Sequence, residues 1–262
     1  MIPGQRKSRG VALVREPSSR LADGITTHID RAPVDVELAR RQHAAYRAAL
    51  ATAGWEVVDV EPADDCPDSV FVEDTLVVCD GLAVVTHPGA PGRRAEVDAA
   101  ERAARALGLD TVRITAPGTL DGGDVLQVGD TVYVGRGGRT NYSGIEQLRE
   151  LLATRGRTVV GVPLRGVLHL KSAVTALPDD TLLALPHHLD LGALPPVLPV
   201  EEESGCHVVP LGDEDVLIAA SAPHTAGLIH ELGFTPVVVD ISEYEKREGC
   251  VTCLSVLIPS VR

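Results

Sequence analysis

The sequence predicts an α/β protein in which ββαβ units repeat along the chain and close into a ring within one domain, residues 1–262. Three observations support this fold. The order strand, hairpin turn, strand, helix, strand recurs several times. The hairpin turns carry Asp-Gly or Gly-Asp, which suit two-residue loops. No linker-like composition divides the 262 residues, and ring closure hides most sheet edges.

The first uninterrupted unit is predicted over Asp74–Ile114, because apolar runs flank Asp80-Gly81 and an amphipathic segment follows. Its helix is predicted over Arg93–Leu107. The same order recurs over Asp124–Val162 and Val208–Ile241. Their predicted helices are Tyr142–Arg155 and Pro223–Leu232.

The remaining two units are irregular. Ser172–Val200 is a degenerate copy whose helix is predicted to be weak, because four prolines interrupt it. The fifth unit is split between the ends of the chain. Cys250–Ile258 is predicted to be one strand, and Val11–Val14 is predicted to pair beside it. The helix Val34–Ala53 and a strand over Trp55–Val60 complete this unit.

Composition narrows the class of protein. The formal charge of −13 makes nucleic acid an unsuitable partner, since its binding needs clustered Lys and Arg. The basic segment Met1–Arg9 precedes no apolar signal core, and no run approaches the length of a membrane span. Five widely spaced cysteines in a chain of this size favour reduced thiols. We therefore expect a cytoplasmic protein that does not bind nucleic acid or membranes.

Three polar residues in apolar surroundings supply the parts of an activated thiol nucleophile: Cys253, His169 and Asp121. Each has a plainer interpretation, since a cysteine or histidine can pack in a core and Asp-Gly is common turn chemistry. The spacing Cys250-x-x-Cys253 also suggests a redox or zinc pair. We disfavour that interpretation, because strand positions three apart point to opposite faces and a second Cys-x-x-Cys motif is absent.

A fourth polar island carries the carboxylates of Asp68, Glu73 and Asp74. Glu73 and Asp74 interrupt the apolar run from Val70 to Val78, which is predicted to be a buried strand. Buried carboxylates need partners, and a guanidinium ion offers several N–H donors in a planar fork. The sequence therefore indicates a cationic substrate.

Two arginines follow Gly/Pro-containing loops at equivalent places in their units. Arg93 follows Gly89–Gly92, and Arg139 follows Gly137-Gly138. The ring could bring both to one mouth. The loop Ser18–Ala32 is our candidate lid, because it is long and polar at its flanks.

Four islands in order along the chain resemble the dimethylarginine dimethylaminohydrolases, of the guanidino-group modifying (pentein) superfamily. They are Phe71–Asp74, Leu120–Leu126, Leu168–Ser172 and Thr252-Cys253. The resemblance runs from about Val11 to Ile258. It implies a five-bladed α/β-propeller that needs no metal and no cofactor.

The resemblance also implies a reaction and residue roles. The reaction is hydrolysis of N-methylated free arginines to citrulline and methylamine or dimethylamine. Cys253 is the implied nucleophile, His169 the acid and base, and Asp121 the residue that orients the histidine. The carboxylates described above are placed in the substrate pocket by the same resemblance, and Arg93 and Arg139 grip the α-carboxylate.

Two alternatives remain at the level of sequence. Arginine deiminase would release ammonia from unmethylated arginine, but that family carries Asp two residues after the catalytic histidine, where this chain has Lys171. A non-catalytic arginine-binding protein could share the same fold. The presence of Cys253, His169 and Asp121 argues against it.

Overall fold

The computed structural model describes residues 8–260, and the predicted ring of five units is confirmed there. The basic segment Met1–Arg9 lies outside the described residues except for its last two. Five helices lie among the sheets: α1 (Val36–Thr52), α2 (Val97–Ala106), α3 (Tyr142–Ala153), α4 (Pro223–Glu231) and α5 (Ser242–Glu245).

Fifteen strands are present in the described part of the chain: β1 (Gly10–Val14), β2 (Trp55–Asp59), β3 (Leu76–Cys79), β4 (Leu82–Val85), β5 (Asp110–Arg113), β6 (Val125–Val128), β7 (Thr131–Arg136), β8 (Thr158–Pro163), β9 (Val174–Ala176), β10 (Leu182–Ala184), β11 (Val197–Pro199), β12 (Val208–Pro210), β13 (Asp215–Ala219), β14 (Thr235–Val239) and β15 (Val256–Pro259). They form five three-stranded sheets, and in each sheet an antiparallel pair is followed by a parallel one.

The split unit closes as the sequence predicts. Its sheet has the order β15-β1-β2, with Val11 opposite Ile258 on one side and Glu56 on the other. The backbone N–H of Ser260 donates to the carbonyl of Arg9 at 2.9 Å. The two ends of the described chain therefore seal one blade together.

The inner strands of the five sheets surround a common cavity of about 350 Å³ at the centre of the ring. Residues of β3, β6, β9, β12 and β15 all line it. Apolar side chains pack between helices and sheets outside this channel. Leu148 and Leu152 of α3, for example, pack with Val132 and Val134 of β7. No helix in residues 8–260 is long and apolar enough to cross a bilayer.

Prolines explain the weak unit. Between β10 and β11 the chain forms two short 3-10 turns, Pro186–His188 and Leu191–Ala193, where the other units have an α-helix. A proline inside a helix removes one hydrogen bond and clashes with the preceding turn. The predicted helix Arg93–Leu107 is also shorter than expected, because Pro91–Glu96 forms a 3-10 turn before α2.

The prediction of one strand over Cys250–Ile258 is wrong for its first half. Thr252–Leu254 is a 3-10 turn, and the N–H of Cys253 donates to the carbonyl of Cys250 at 3.1 Å. The hydroxyl of Tyr46 donates to the carbonyl of Val251 at 2.9 Å, so a side chain replaces a strand partner. The β-branched residues favour a strand, but tertiary contacts override this local preference.

Candidate active site

His169 is held by the carboxylate of Asp121. Its Nε2 lies 3.1 Å from Asp121 Oδ2 and 3.8 Å from Asp74 Oδ1, and both side chains of the His169–Asp121 pair are buried. Burial alone would lower the pKa of His169, but the charges of Asp74 and Asp124 and the hydrogen bond that His169 donates to Asp121 raise it to about 9. The imidazole is therefore protonated at neutral pH. The contact from Asp121 that the sequence predicts is present.

Two glycines between Asp121 and Asp124 allow the backbone to approach the histidine. A Cβ on Gly123 would lie 2.7 Å from His169 Nδ1 and 2.8 Å from Asp74 Oδ1. The N–H of Gly123 instead donates to Asp74 Oδ1 at 2.8 Å. Turn chemistry alone is therefore an incomplete account of Asp-Gly-Gly-Asp, because the glycine makes room for two charged side chains.

Asp124 anchors the segment that carries the histidine. Its carboxylate accepts from the N–H of Leu170 at 2.9 Å and from the hydroxyl of Thr140 at 2.6 Å. Burial raises the pKa of Asp124 to about 7, although His169 and Thr140 oppose the shift. These contacts fix the backbone next to His169.

Asp74 is fully enclosed by cationic and polar donors. Arg93 Nη1 donates to Asp74 Oδ2 at 2.5 Å, and Arg93 also pairs with Glu96. Burial opposes ionisation, but His169 and Arg93 hold the pKa of Asp74 well below its usual range. The side chain lies in a 3-10 turn, Val72–Thr75, just before β3. Asp74 is therefore a buried, ionised carboxylate.

Glu73 points to the other side of the ring. Lys171 Nζ donates to Glu73 Oε1 at 2.5 Å, and both residues line the central channel cavity. Burial raises the pKa of Glu73 to about 7, with Lys171 opposing the shift. Glu73 is not among the residues that line the cavity around His169. Its predicted substrate contact stays a prediction, for which a test is given below.

Cys253 and Cys250 lie side by side. Their sulfur atoms are 3.2 Å apart, and the N–H of Cys250 donates to Cys253 Sγ at 3.4 Å. The expectation that these two side chains point to opposite faces is wrong, because it assumed a strand where the chain forms a turn. The hydrogen bond with Cys250, burial and the charges of Glu73 and Asp74 raise the pKa of the Cys253 thiol well above its usual range.

Gly249 shows why the chain can turn so tightly before Cys250. A Cβ at this position would lie 2.2 Å from a ring carbon of Phe71. Any side chain would therefore push the cysteine turn away from the Phe71–Asp74 island. The glycine keeps the cysteine turn in contact with the Phe71–Asp74 island.

Asp68 fastens the candidate lid. The N–H of Ile25 donates to both carboxylate oxygens of Asp68 at 3.1 Å. Burial raises the pKa of Asp68, and Arg93 opposes the shift. The loop Ser18–Ala32 lies over the cavity at this point, since Ile25 is one of the lining residues. The carboxylate therefore contacts the cavity and the loop above it.

Six of the eight predicted site residues meet in one small cavity. They are Cys253, His169, Asp74, Asp68, Arg93 and Arg139. Asp121 is completely buried behind His169, and Arg139 Nη1 donates to its carboxylate at 3.3 Å. The free volume is about 20 Å³, room for roughly one water molecule. A guanidino amino acid can enter only if side chains or the covering loop move.

Comparison with known proteins identifies the family. A family model described as arginine deiminase matches residues 98–243. The chain is 58% identical to the N(G),N(G)-dimethylarginine dimethylaminohydrolase of Streptomyces coelicolor over 246 residues, 94% of this chain and 95% of that protein. The enzyme of the same name from Pseudomonas aeruginosa is 36% identical over 93% of this chain and 97% of its own length. This chain belongs to the dimethylarginine dimethylaminohydrolase family.

Solved structures agree with that family assignment. A Pseudomonas aeruginosa dimethylarginine dimethylaminohydrolase mutant complexed with citrulline matches with a TM-score of 0.88 and 32% identity, over 96% of this chain and 100% of that one. The arginine dihydrolase domain of a cyanobacterial protein matches with a TM-score of 0.85 at 19% identity. At that identity the likeness shows the common fold alone.

Sequence reasoning missed two residues that close the cavity around His169. Arg247 donates to the carbonyls of Leu21, Ala22 and Ala32, and so ties both ends of the covering loop. The carboxylate of Glu248 accepts from two further N–H groups of that loop. Both residues line the cavity. The only sequence signal was a charged run just before Gly249, which is typical of a solvated turn.

A metal site is the other chemistry to consider for these side chains. In residues 8–260, one group of potential ligand atoms lies within 4.8 Å of one another, from Asp74, Asp121 and His169. Both carboxylates already accept from arginines, Asp74 from Arg93 and Asp121 from Arg139. Those charges compensate the carboxylates and weaken their attraction for a dication. The expectation that the protein needs no metal stays a prediction.

Proposed function

We propose that this protein hydrolyses free N-methylated arginines, asymmetric dimethylarginine and monomethylarginine, to citrulline and dimethylamine or methylamine. The observation that carries the proposal is the single cavity shared by a cysteine, a protonated histidine and an ionised, buried Asp74. The relatives that bear this activity in their names cover nearly the whole chain.

Asp74 is the proposed guanidinium clamp. An ionised carboxylate can accept two parallel N–H donors from the planar cation. Arg93 occupies one of its oxygens, and the N–H of Gly123 the other. We propose that Arg93 rotates away from Asp74 when the substrate guanidinium binds, and that the freed arginine then meets the substrate carboxylate together with Arg139.

Cys253 is the proposed nucleophile. In the free protein, the hydrogen bond with Cys250, burial and the neighbouring carboxylates raise the pKa of its thiol and keep it protonated. A bound guanidinium brings positive charge to the same place and favours the thiolate. The thiolate then attacks the guanidinium carbon and forms a tetrahedral adduct.

His169 is the proposed acid and then base. Its proton passes to the departing dimethylamine as the carbon–nitrogen bond breaks, which leaves a thiouronium on Cys253. The neutral imidazole then takes a proton from water, whose oxygen attacks the same carbon. Collapse of that adduct expels the cysteine sulfur and releases citrulline. Asp121 keeps the ring oriented throughout, since it holds Nε2 at 3.1 Å.

The preference for methylated substrates rests on Lys171. Arginine deiminases carry Asp at this position, where it grips the far guanidinium nitrogen. Here Lys171 faces Glu73 in the central channel and offers no carboxylate to the cavity. One terminal nitrogen is therefore left without a charged partner, which disfavours a bare amino group and tolerates methyl groups.

The deciding experiment measures kcat/KM for arginine, monomethylarginine and the asymmetric and symmetric dimethylarginines, with citrulline and the released amine both quantified. We expect monomethylarginine and asymmetric dimethylarginine to have the highest kcat/KM, because the side of the guanidinium that Asp74 holds carries no methyl group. Symmetric dimethylarginine should not be hydrolysed, because it places a methyl group on that side. Arginine as the leading substrate, with ammonia released, would assign the protein to the deiminases. Binding without turnover in every case would make it a sensor.

Cysteine-to-serine and histidine-to-glycine variants test the covalent step. Cys253→Ser should bind substrate without turnover, because serine is far less nucleophilic at neutral pH. His169→Gly should accumulate the thiouronium, detected by mass spectrometry on the peptide that contains Cys253. An active His169→Ala protein would remove the histidine from the mechanism.

We also infer a cytoplasmic setting. All five cysteines of the chain are buried and unpaired. Structural disulfides are rare in the reducing cytosol, where bonds that do form are usually transient. A secreted pool of fully active protein with structural disulfides would contradict this inference.

A further inference from the structure

We propose that Cys250 and Cys253 form a reversible disulfide that switches the protein off under oxidation. The role of Cys253 in turnover rests on the function proposed above, whereas the disulfide itself rests on geometry. Cys250 takes no part in the proposed hydrolysis, yet its sulfur lies 3.2 Å from the sulfur of Cys253, the proposed nucleophile. That placement calls for an explanation.

The turn brings the two sulfurs almost to bonding distance. They lie 3.2 Å apart, and a disulfide bond is about 2.05 Å long. The hydrogen bond from Cys253 N to the carbonyl of Cys250 makes these residues the ends of a tight turn, whose Cα atoms lie within about 7 Å. This separation is within reach of a disulfide. A side-chain movement of about 1 Å closes the bond without refolding the turn.

The two thiols differ in their surroundings. Cys253 lines the substrate cavity, so a small oxidant that enters the cavity meets this sulfur first. Cys250 is buried behind it, where Thr252 Oγ1 contacts its sulfur at 3.2 Å. The hydrogen bond with Cys253 lowers the pKa of the Cys250 thiol well below its usual range despite burial, and His207 adds to that effect. One sulfur lines the cavity and the other is activated for attack.

The proposed chemistry uses hydrogen peroxide as the oxidant. The proton of the Cys253 thiol first passes to the Cys250 sulfur, 3.2 Å away. The Cys253 thiolate then attacks one peroxide oxygen, the O–O bond breaks, and hydroxide leaves and takes the proton back from Cys250, so Cys253 becomes a sulfenic acid. The Cys250 thiolate then attacks that sulfur, the S–O bond breaks, and hydroxide leaves again. One further proton converts this second hydroxide to water. The two sulfurs have lost two electrons to peroxide, and a dithiol returns them.

The disulfide would serve to protect the nucleophile. A sulfenic acid without a nearby thiol is oxidised further to sulfinic acid, which thiols do not reduce. Closure to the disulfide stops that sequence at a reducible state. Turnover stops as well, because the sulfur of Cys253 is no longer free.

The test compares three proteins: the parent, Cys250→Ser and the matched control Cys79→Ser. Cys79 is buried like Cys250 but lies in β3 beside Asp80, in a different environment. Each fully reduced protein is treated with hydrogen peroxide in molar excess over its thiols, its remaining thiols are alkylated, and it is digested with trypsin without reduction. The tryptic peptide 248–262 contains both cysteines of the pair. Turnover is expressed relative to the untreated sample of the same variant.

In the parent and Cys79→Ser, we expect this peptide to lose two hydrogen atoms and escape alkylation, and dithiothreitol to restore the lost turnover. In Cys250→Ser, we expect sulfinic acid on Cys253 and a loss of turnover that dithiothreitol does not reverse. Cys250→Ala repeats the test should serine disturb folding. Sulfinic acid in the parent, a disulfide to another cysteine, or equal recovery in Cys250→Ser would overturn the proposal. Because the peptide mass needs no turnover, a disulfide in a protein that fails to hydrolyse methylarginines would refute the proposed function alone.

Discussion

Glu73 and Asp74 are neighbours in sequence but line two different cavities of the ring. Asp74 faces the cavity with His169 and Arg93, which hold its pKa well below the usual range although burial opposes them. Glu73 faces the central channel, where burial outweighs its single partner Lys171 and raises its pKa to about 7. The two pKa values differ because the charged partners differ and not because burial does, since both side chains are nearly inaccessible.

One short turn places these two neighbouring carboxylates in different cavities. The turn Val72–Thr75 sends successive side chains to different faces, so a single dipeptide supplies both sides of the ring. Asp74 accepts from cationic and backbone donors, whereas Glu73 Oε2 is a buried oxygen without a hydrogen-bond partner in residues 8–260. We therefore expect the two carboxylates to fail differently when they are neutralised.

Asp74→Asn should give the largest effect. Loss of two charge-assisted hydrogen bonds to the guanidinium, at about 1.5–3 kcal/mol each, predicts a fall in kcat/KM of roughly a hundred- to ten-thousandfold. The matched control Glu73→Gln should keep nearly all of its kcat/KM. Steady-state kinetics with asymmetric dimethylarginine measures both. Equal losses in the two variants would return Glu73 to the substrate pocket, as the sequence predicted.

Arg139 and Arg93 both line the cavity, and variants of the two separate effects on substrate binding from effects on stability. Arg139→Ala should raise KM for methylarginines about ten- to a hundredfold through loss of a charge-assisted contact of about 1.5–3 kcal/mol. Turnover of agmatine, which lacks the carboxylate, should be low and unaffected by the change.

Arg93→Ala should raise KM in the same way and should also destabilise the fold, because it leaves Asp74 and Glu96 buried without their cation. Removal of one partner of such a pair costs about 3–5 kcal/mol. Urea unfolding of the two variants side by side separates the roles. Unchanged stability in Arg93→Ala would mean that the buried pairs are not structural.

The pH dependence of turnover should report the cavity side alone. The pKa of His169 is raised to about 9, so the acid form is lost, and kcat should fall, as pH rises through that value. Asp121→Asn removes a hydrogen-bonded charge that favours the imidazolium, so the alkaline limb should move to lower pH. Glu73→Gln should leave the limb in place. An alkaline limb that Asp121→Asn does not move would separate His169 from the observed ionisation.

Ionisation of Glu73 in the central channel should change the stability of the protein rather than its turnover. Because the pKa of Glu73 is about 7 in the folded protein and ordinarily about 4.5, the folded protein binds this proton more tightly than the unfolded chain does. The free energy of unfolding should therefore decrease as pH rises from about 4.5 to 7, by about 1–3 kcal/mol from this group. Glu73→Gln should lack that part of the dependence. Parallel curves for parent and variant in denaturant titrations would contradict the assignment.

The sequence predicts the ring well, because its signals are local. Asp80-Gly81 marks a hairpin, and apolar runs of four to six residues on each side become β3 and β4. Prolines likewise predict the weak helix before β11. Each of these features depends on residues a few positions apart, which is the range where propensity is informative.

The site is less predictable where distant residues decide it. The direction of Glu73 depends on Lys171, 98 positions away, and the turn at Cys250 depends on Tyr46 and on the ring of Phe71. No local pattern contains those contacts. The same limit explains why Arg247 was missed, since its partners are carbonyl groups more than 200 positions earlier.

The pairing of β15 with β1 has a consequence for biosynthesis. The strand that follows Cys253 pairs with the first strand of the described chain, across nearly 250 residues of sequence. A nascent chain with four sheets outside the ribosome therefore still lacks the cysteine and the seam that closes the ring. Long-range pairing of this kind comes late in folding. Most of the ring can therefore form before Cys253 is synthesised. The order of synthesis itself excludes methylarginine hydrolysis by unfinished chains.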